Sequence, residues 1–186
     1  MVKIGIDQSL SFTGMTVLRD GAVEAIYGIT HKGHTKWDKW SEKPDFIYII
    51  NYDFEDRVDD PFEDERRKYR NIRRLVDEVD YIISKYSPDE VLMEGVSFGS
   101  HQTTAIAELS GLNYLIRDVC HKYDIKFTII PPSKLKKFFT GNGVADKDLM
   151  TETFFQLVPN ARRCEKYIKI DDIADSYAMA CFEEKQ

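Results

Sequence analysis

Apolar and polar residues alternate where the chain begins. Val2, Ile4 and Ile6 are apolar, Lys3 and Gly5 stand between them, and the run stops at Asp7. After the polar break Gln8-Ser9 the chain climbs back into Met15-Thr16-Val17-Leu18. A period of two is the pattern of a strand, so residues 2–7, 12–19 and 22–31 predict three short strands. Asp20-Gly21 between the last two is a hairpin signal, which makes the trio an antiparallel meander. Asp7 then ends a central strand, where a carboxylate is costly unless something pairs with it.

From residue 61 the period changes. Tyr69, Ile72, Leu75, Val76, Val79 and Ile82-Ile83 recur at helical spacing. Pro61 suits a first turn and Pro88 stops the run, giving a helix over 61–86. Asp89 to Glu94 reads as a short buried strand that again ends in an acid. A helix over 103–123, a strand over 126–130 and helices over 133–139, 146–157 and 171–184 follow. Residues 32–60 fit no period well; they hold Trp37, Trp40, a β-like run 46–50 and an acidic loop from Asp53 to Asp60. They read as an elaboration with room for an extra edge strand. The whole predicts an α/β fold, a mixed five-stranded sheet with helices on both faces.

Composition narrows the class without naming a function. The 186 residues are 42% apolar and 31% charged, as in a globular chain with a sizeable core. No apolar run approaches the ~18 residues of a membrane span, and no signal-peptide pattern opens the chain. Cys120, Cys164 and Cys181 are widely spaced, which argues against a zinc site or disulfide framework and suits a reducing cytoplasm. Net charge is −6, so a nucleic-acid partner must be met by a local basic surface.

The acids carry the candidate chemistry. Parallel strands in an α/β sheet present their carboxyl ends at one edge, so Asp7 and Glu94 meet there if their strands are neighbours. The last helix opens Asp171-Asp172-Ile173-Ala174-Asp175, and Asp172 and Asp175 share a face of its first turn. Four acids at one address repel and raise one another's pKa. A hard divalent cation removes the conflict, and oxygen ligation suits Mg²⁺ or Mn²⁺. Two such ions activate water and stabilise the leaving oxygen of a phosphodiester. Each piece also has a plainer reading, as a turn former or as acids favoured by a helix N-terminus. Their combination favours the metal site.

"IGIDQSLSFTG", "VLMEGVSFG", "IIPPSKLKKFFTGNGVADKDLM" and "DDIADSYAMA", in this order along the chain, resemble the motifs of the RuvC family of Holliday-junction resolvases, within the RNase H-like superfamily. The resemblance implies one RNase H-like nuclease domain over 1–186. It implies Asp7, Glu94, Asp172 and Asp175 as catalytic metal ligands, with two Mg²⁺ ions (Mn²⁺ as substitute). Lys147 takes the family's lysine position, supporting the phosphate or helping to activate water. Phe98 is the candidate for the family's junction-probing aromatic, one residue beyond its usual place, and His101 a candidate DNA contact. Four-way and other branched DNA is the implied substrate, cut to 5′-phosphate and 3′-hydroxyl ends by a homodimer. The candidate interface is the 103–123 helix with Ala105, Ala107, Ser110, Gly111, Tyr114 and Leu115. No nucleotide cofactor and no membrane partner are implied. Gln8-Ser9 in place of the Pro-Gly of many members, the long 32–60 stretch and the acidity mark a divergent branch, of the kind a phage or virus carries into a host cytoplasm.

Lys134, Lys136, Lys137 and Lys147 lie near the proposed edge as candidates to hold phosphates, although Lys136 reads equally as solvated helix surface. Arg66, Arg67, Lys68, Arg70, Arg73 and Arg74 form a second basic run, available to a DNA arm or neutralised by the acids flanking it. Three other functions stay open: an actin-like phosphotransferase, which needs two lobes; a non-catalytic DNA- or protein-binding module; and a nuclease for RNA–DNA hybrid or structured RNA.

Overall fold

The opening alternation folds as a meander. In the computed structural model, which describes residues 1–33, 35–95 and 103–183, β1 (Val2–Asp7), β2 (Phe12–Arg19) and β3 (Ala22–Thr30) pair antiparallel. Asp20 and Gly21 turn the hairpin with positive φ at both, the turn whose twist suits two strands. β5 (Glu90–Glu94) lies parallel against β1, and β6 (Lys126–Ile130) parallel against β5. The sheet has six strands, in the order β4-β3-β2-β1-β5-β6, where five were expected. The sixth is β4 (Ile47–Asn51), the extra edge strand for which the 32–60 stretch left room. β3 is buried from Ala25 to Thr30, so it needs a hydrogen-bonding neighbour on its outer side.

One layer of helices covers each face. α2 (Pro61–Tyr86) starts at Asp60, whose side chain accepts the Glu63 N–H at 2.8 Å, and ends on Ser87 in a left-handed conformation. Its stripe Leu75, Val76, Val79, Ile82 and Ile83 packs with Leu112 and Ile116 of α3 (Thr103–Lys122) against Ile4, Ile6, Val91 and Met93. The opposite face carries α6 (Ile170–Cys181), flanked by α4 (Pro132–Thr140), α5 (Lys147–Leu157), a 3₁₀ turn at Pro159–Cys164 and the short α1 (Thr35–Asp38). Phe154, Ile173, Ala174 and Tyr177 fill that side. Among the described residues, no helix is long and apolar enough to cross a membrane.

α6 lies unusually close to the sheet. A Cβ on Gly5 would run into backbone atoms of Ser176 and Ala180, and one on Gly14 into the carbonyl of Asp172. Glycine inside a strand marks such a backbone approach. Thr16 and Ser176, both fully buried, share a hydroxyl hydrogen bond of 2.8 Å beneath the helix. The first turn of α6 is thereby held over the ends of β1 and β2.

Candidate active site

Strand pleat and register bring the acids together. Ile6 pairs with Met93, so Asp7 and Glu94 follow side by side at the carboxyl ends of two parallel strands. Ile4, Ile6, Val91 and Met93 point toward α2 and α3, so the alternate residues, Asp7 and Glu94 among them, point to the α6 side. Across the antiparallel pair, Gly14 stands opposite Asp7, and Gly14 is where the Asp172 backbone touches the sheet.

The electrostatics are those of crowded carboxylates. Burial pushes the Asp7 carboxyl up to about 8, with Asp172, Asp175 and Glu94 adding to the rise and Lys147 opposing it. Burial, then Asp171, raises Asp172 to about 6. Asp175 is also raised to about 6, by burial and then by Glu94 and Asp172. Burial raises Glu94 while Lys136 pulls it down. Lys147 donates to Asp171 at 2.6 Å, and this bond first, then the neighbouring acids, holds its ammonium above the usual lysine range.

The donor set fits a hard divalent cation. Asp172 Oδ2 is buried with no hydrogen-bond donor among the described residues, 3.7 Å from the Lys169 ammonium. A buried carboxylate oxygen without a donor is what a cation would satisfy. Among the described residues, no three acids close on one point to hold an ion as they stand. They share a field more than a ready coordination shell.

Several of these contacts are invisible in the linear pattern. Gln8 donates its side-chain amide to the Glu94 carbonyl at 2.9 Å, and Asn113 of α3 donates to the same oxygen at 3.3 Å. Both amides are buried, so the residue that departs from the family's usual turn ties the end of β5 to β1. Lys136, which the sequence reads equally as phosphate holder and as helix surface, is the α4 lysine whose charge reaches Glu94. Lys134 and Lys137 are exposed and form no ion pair among the described residues. Phe98 and His101 lie outside the described residues. On α3, Leu112, Asn113 and Ile116 are buried, Leu115 packs partly on the core, and Ala107 and Tyr114 face outward. Ser110 is half-buried, a Cβ on Gly111 would meet open space, and the Ala105 side chain is outside what is described.

A six-stranded mixed sheet covered by helices on both faces, with acids where two parallel central strands end under a closing helix, is an RNase H-like architecture. Residues 61–182 match the family model described as crossover junction endodeoxyribonuclease RuvC. The chain belongs to the RuvC family, whose members are metal-dependent nucleases. It is 26% identical over 179 residues to the crossover junction endodeoxyribonuclease RuvC of Dictyoglomus turgidum, covering 96% of this chain and 93% of that one. It is 28% identical over 110 residues to the RuvC of Dictyoglomus thermophilum, covering 59% of this chain. In that match it spans 66% of the relative, just under two thirds of its length. The structure of T. thermophilus RuvC in complex with a Holliday junction substrate superposes with a TM-score of 0.64 at 15% identity, covering 97% of this chain and 91% of that one. At that identity the likeness is one of fold.

Proposed function

We propose that this chain is a metal-dependent, structure-selective DNA endonuclease that resolves four-way and related branched junctions by paired phosphodiester hydrolysis. The reading is carried by Asp7 and Glu94 ending two adjacent parallel strands, with the first turn of α6, which bears Asp172, packed on Gly14 opposite Asp7. Asp7, Glu94, Asp172 and Asp175 are the residues that would hold the Mg²⁺ or Mn²⁺ ions. Such ions, when bound, supply Lewis acidity to the attacking water and to the leaving oxygen. The chain's own residues do the rest. Gln8 and Asn113 fix the backbone that carries Glu94, and the glycine contacts of α6 fix Asp172 and Asp175. Lys136 and Lys147 stand beside the acids, where their charge offsets that of a phosphate entering the site. Lys134 and Lys137 hold phosphates further out, and Phe98 and His101 are the remaining candidate DNA contacts.

A four-way junction has two-fold symmetry, so paired incision calls for two sites on one particle. The outward face of α3, with Ala107, Gly111 and Tyr114, is the surface offered to a second copy.

Cleavage of a mobile four-way junction, a Y-junction, a linear duplex and an RNA–DNA hybrid, each with Mg²⁺ and with Mn²⁺, tests the reading. The four-way junction should be cut fastest and symmetrically, leaving 5′-phosphate ends. Preference for the hybrid would replace the reading with an RNase H-type activity. Light scattering should give a dimer, and a monomer with and without DNA would remove the paired mechanism.

A further inference from the structure

Two lysine-bearing pieces of the chain are fastened together beside the acidic edge. The segment 31–46 leaves the carboxyl end of β3, which lies at the same edge as the end of β1 because both run antiparallel to β2. The Trp40 ring stacks on Tyr167 with centroids 4.5 Å apart and planes 11° from parallel. Arg163 reaches Glu42 at 3.1 Å and lies over the Trp40 ring. Trp37 is buried beneath. The segment is therefore docked on the turn that leads into α6. In that turn Lys169 lies 3.4 Å from Ser11 Oγ, in the β1–β2 loop, and 3.7 Å from Asp172 Oδ2.

Lys36, Lys39 and Lys166 are exposed and form no ion pair among the described residues. Lys39 and Lys166 are chain neighbours of the stacked rings, so they belong to the same docked unit. Strand order sets this unit on one side of Asp7, beyond β2, and α4 on the other, after β6. From β3 to β6 is four strand spacings, roughly 19 Å, or the rise of about five to six base pairs. A duplex lying along the edge would meet lysines at both ends and acids in the middle. The acids repel phosphate, so the flanking cations must supply the attraction that keeps the backbone there.

We propose that Lys36, Lys39, Lys166 and Lys169 form a phosphate-holding track for one duplex arm of the substrate, on the opposite side of the acids from α4. The track rests on the nuclease reading above and deepens it by assigning the elaborated segment to arm binding without base readout. The triple variant Lys36→Ala, Lys39→Ala, Lys166→Ala tests it in the full chain, by fluorescence anisotropy on a four-way junction across a NaCl series without divalent metal. The salt slope of log K should become shallower by about 2–3, close to one per lost phosphate contact, with affinity at low salt down about 10–100-fold. Shortening the arms to a few base pairs should erase the difference, and an unchanged melting temperature shows that the variant is folded. Arg66→Ala with Arg73→Ala, on α2, should leave the slope as in wild type. A folded triple variant with the wild-type slope, where wild type binds junctions, overturns the track and leaves the nuclease reading standing. Wild type that does not bind junctions overturns both.

Discussion

The two stretches that flank β4 handle charge in opposite ways. Residues 31–46 carry Lys32, Lys36, Lys39 and Lys43, dock through Trp37 and Trp40, and leave their lysines turned to solvent. Residues 52–60 carry Asp53, Glu55, Asp56, Asp59 and Asp60 and lie along α2. There the Glu55 carboxylate takes Arg70 at 2.7 Å and Arg74 at 2.8 Å, and its backbone carbonyl takes Arg67 at 2.9 Å. Arg66 pairs with Glu63, Lys68 with Asp64 and Glu65, and Arg73 with Asp77. The densest basic run in the sequence is thus cancelled in place, while the sparser lysines of 31–46, interspersed with Asp38, Glu42 and Asp45, form no ion pair among the described residues. A count of cations does not locate a DNA-binding face; the pairing of those cations does.

Breaking the dock should give the larger effect. Trp40→Ala removes the stack on Tyr167 and the Arg163 contact, and should lower the melting temperature by about 5 °C. Limited proteolysis should then cut within 31–46 first, and the salt slope for junction binding should move toward that of the lysine triple variant. A melting temperature equal to wild type with unchanged protection of 31–46 would show that the aromatic stack does not hold the segment.

Releasing the arginines of α2 should sharpen the same contrast from the other side. Glu55→Gln with Glu63→Gln removes the carboxylates that hold Arg70 and Arg74 while keeping their size. Non-specific duplex affinity should rise about 3–10-fold at low salt, with a steeper salt slope by about 1–2. Unchanged binding would mean that α2 faces away from any DNA path even with its cations free.

The smallest effect is a pH dependence. The Asp7 carboxyl is held up to about 8 in the fold, against an ordinary value near ~4 in an unfolded chain. The folded protein therefore keeps a proton that the unfolded chain releases. That contribution to stability is complete below about pH 4 and is lost as pH rises through 8. The melting temperature of the metal-free protein should fall by a few degrees from pH 6 to pH 9, and Asp7→Asn should flatten the fall. Mg²⁺ binds the charged form, so it should stabilise wild type more at pH 8.5 than at pH 6, and the variant less at either. A fall of the same size in Asp7→Asn would assign the dependence to other groups.

Much of this was legible from periodicity, because strands and helices follow local patterns. The meander, the long α2 and the strands ending at Asp7 and Glu94 stand within a residue of where the pattern puts them. Asp7 and Glu94 were legible as candidates because each ends an apolar strand, and Asp172 because it lies in the first turn of an apolar helix. Non-local packing was not legible. Gly14 looks like an ordinary strand residue until α6 lies on it. Burial of Leu135 sets the rotation of α4, and with it which lysine reaches Glu94. No period announces that Glu55, 15 residues away in sequence, will meet Arg70. β4 was only half legible, since its partner β3 is distant and its pattern brief.

Asp7 is where the central claim is most exposed. Asp7→Asn keeps the side-chain shape and removes the charge from the middle of the acid set, where metal-ion catalysis is worth several kcal/mol of transition-state stabilisation. Single-turnover cleavage of a four-way junction in saturating Mg²⁺, measured beside junction affinity, separates catalysis from binding. The expected result is cleavage at least about 10³-fold slower, with junction affinity close to wild type because binding rests on lysine and arginine contacts to phosphate. Cleavage by Asp7→Asn at the wild-type rate would contradict the account and leave Asp7 as no more than the residue that ends a strand.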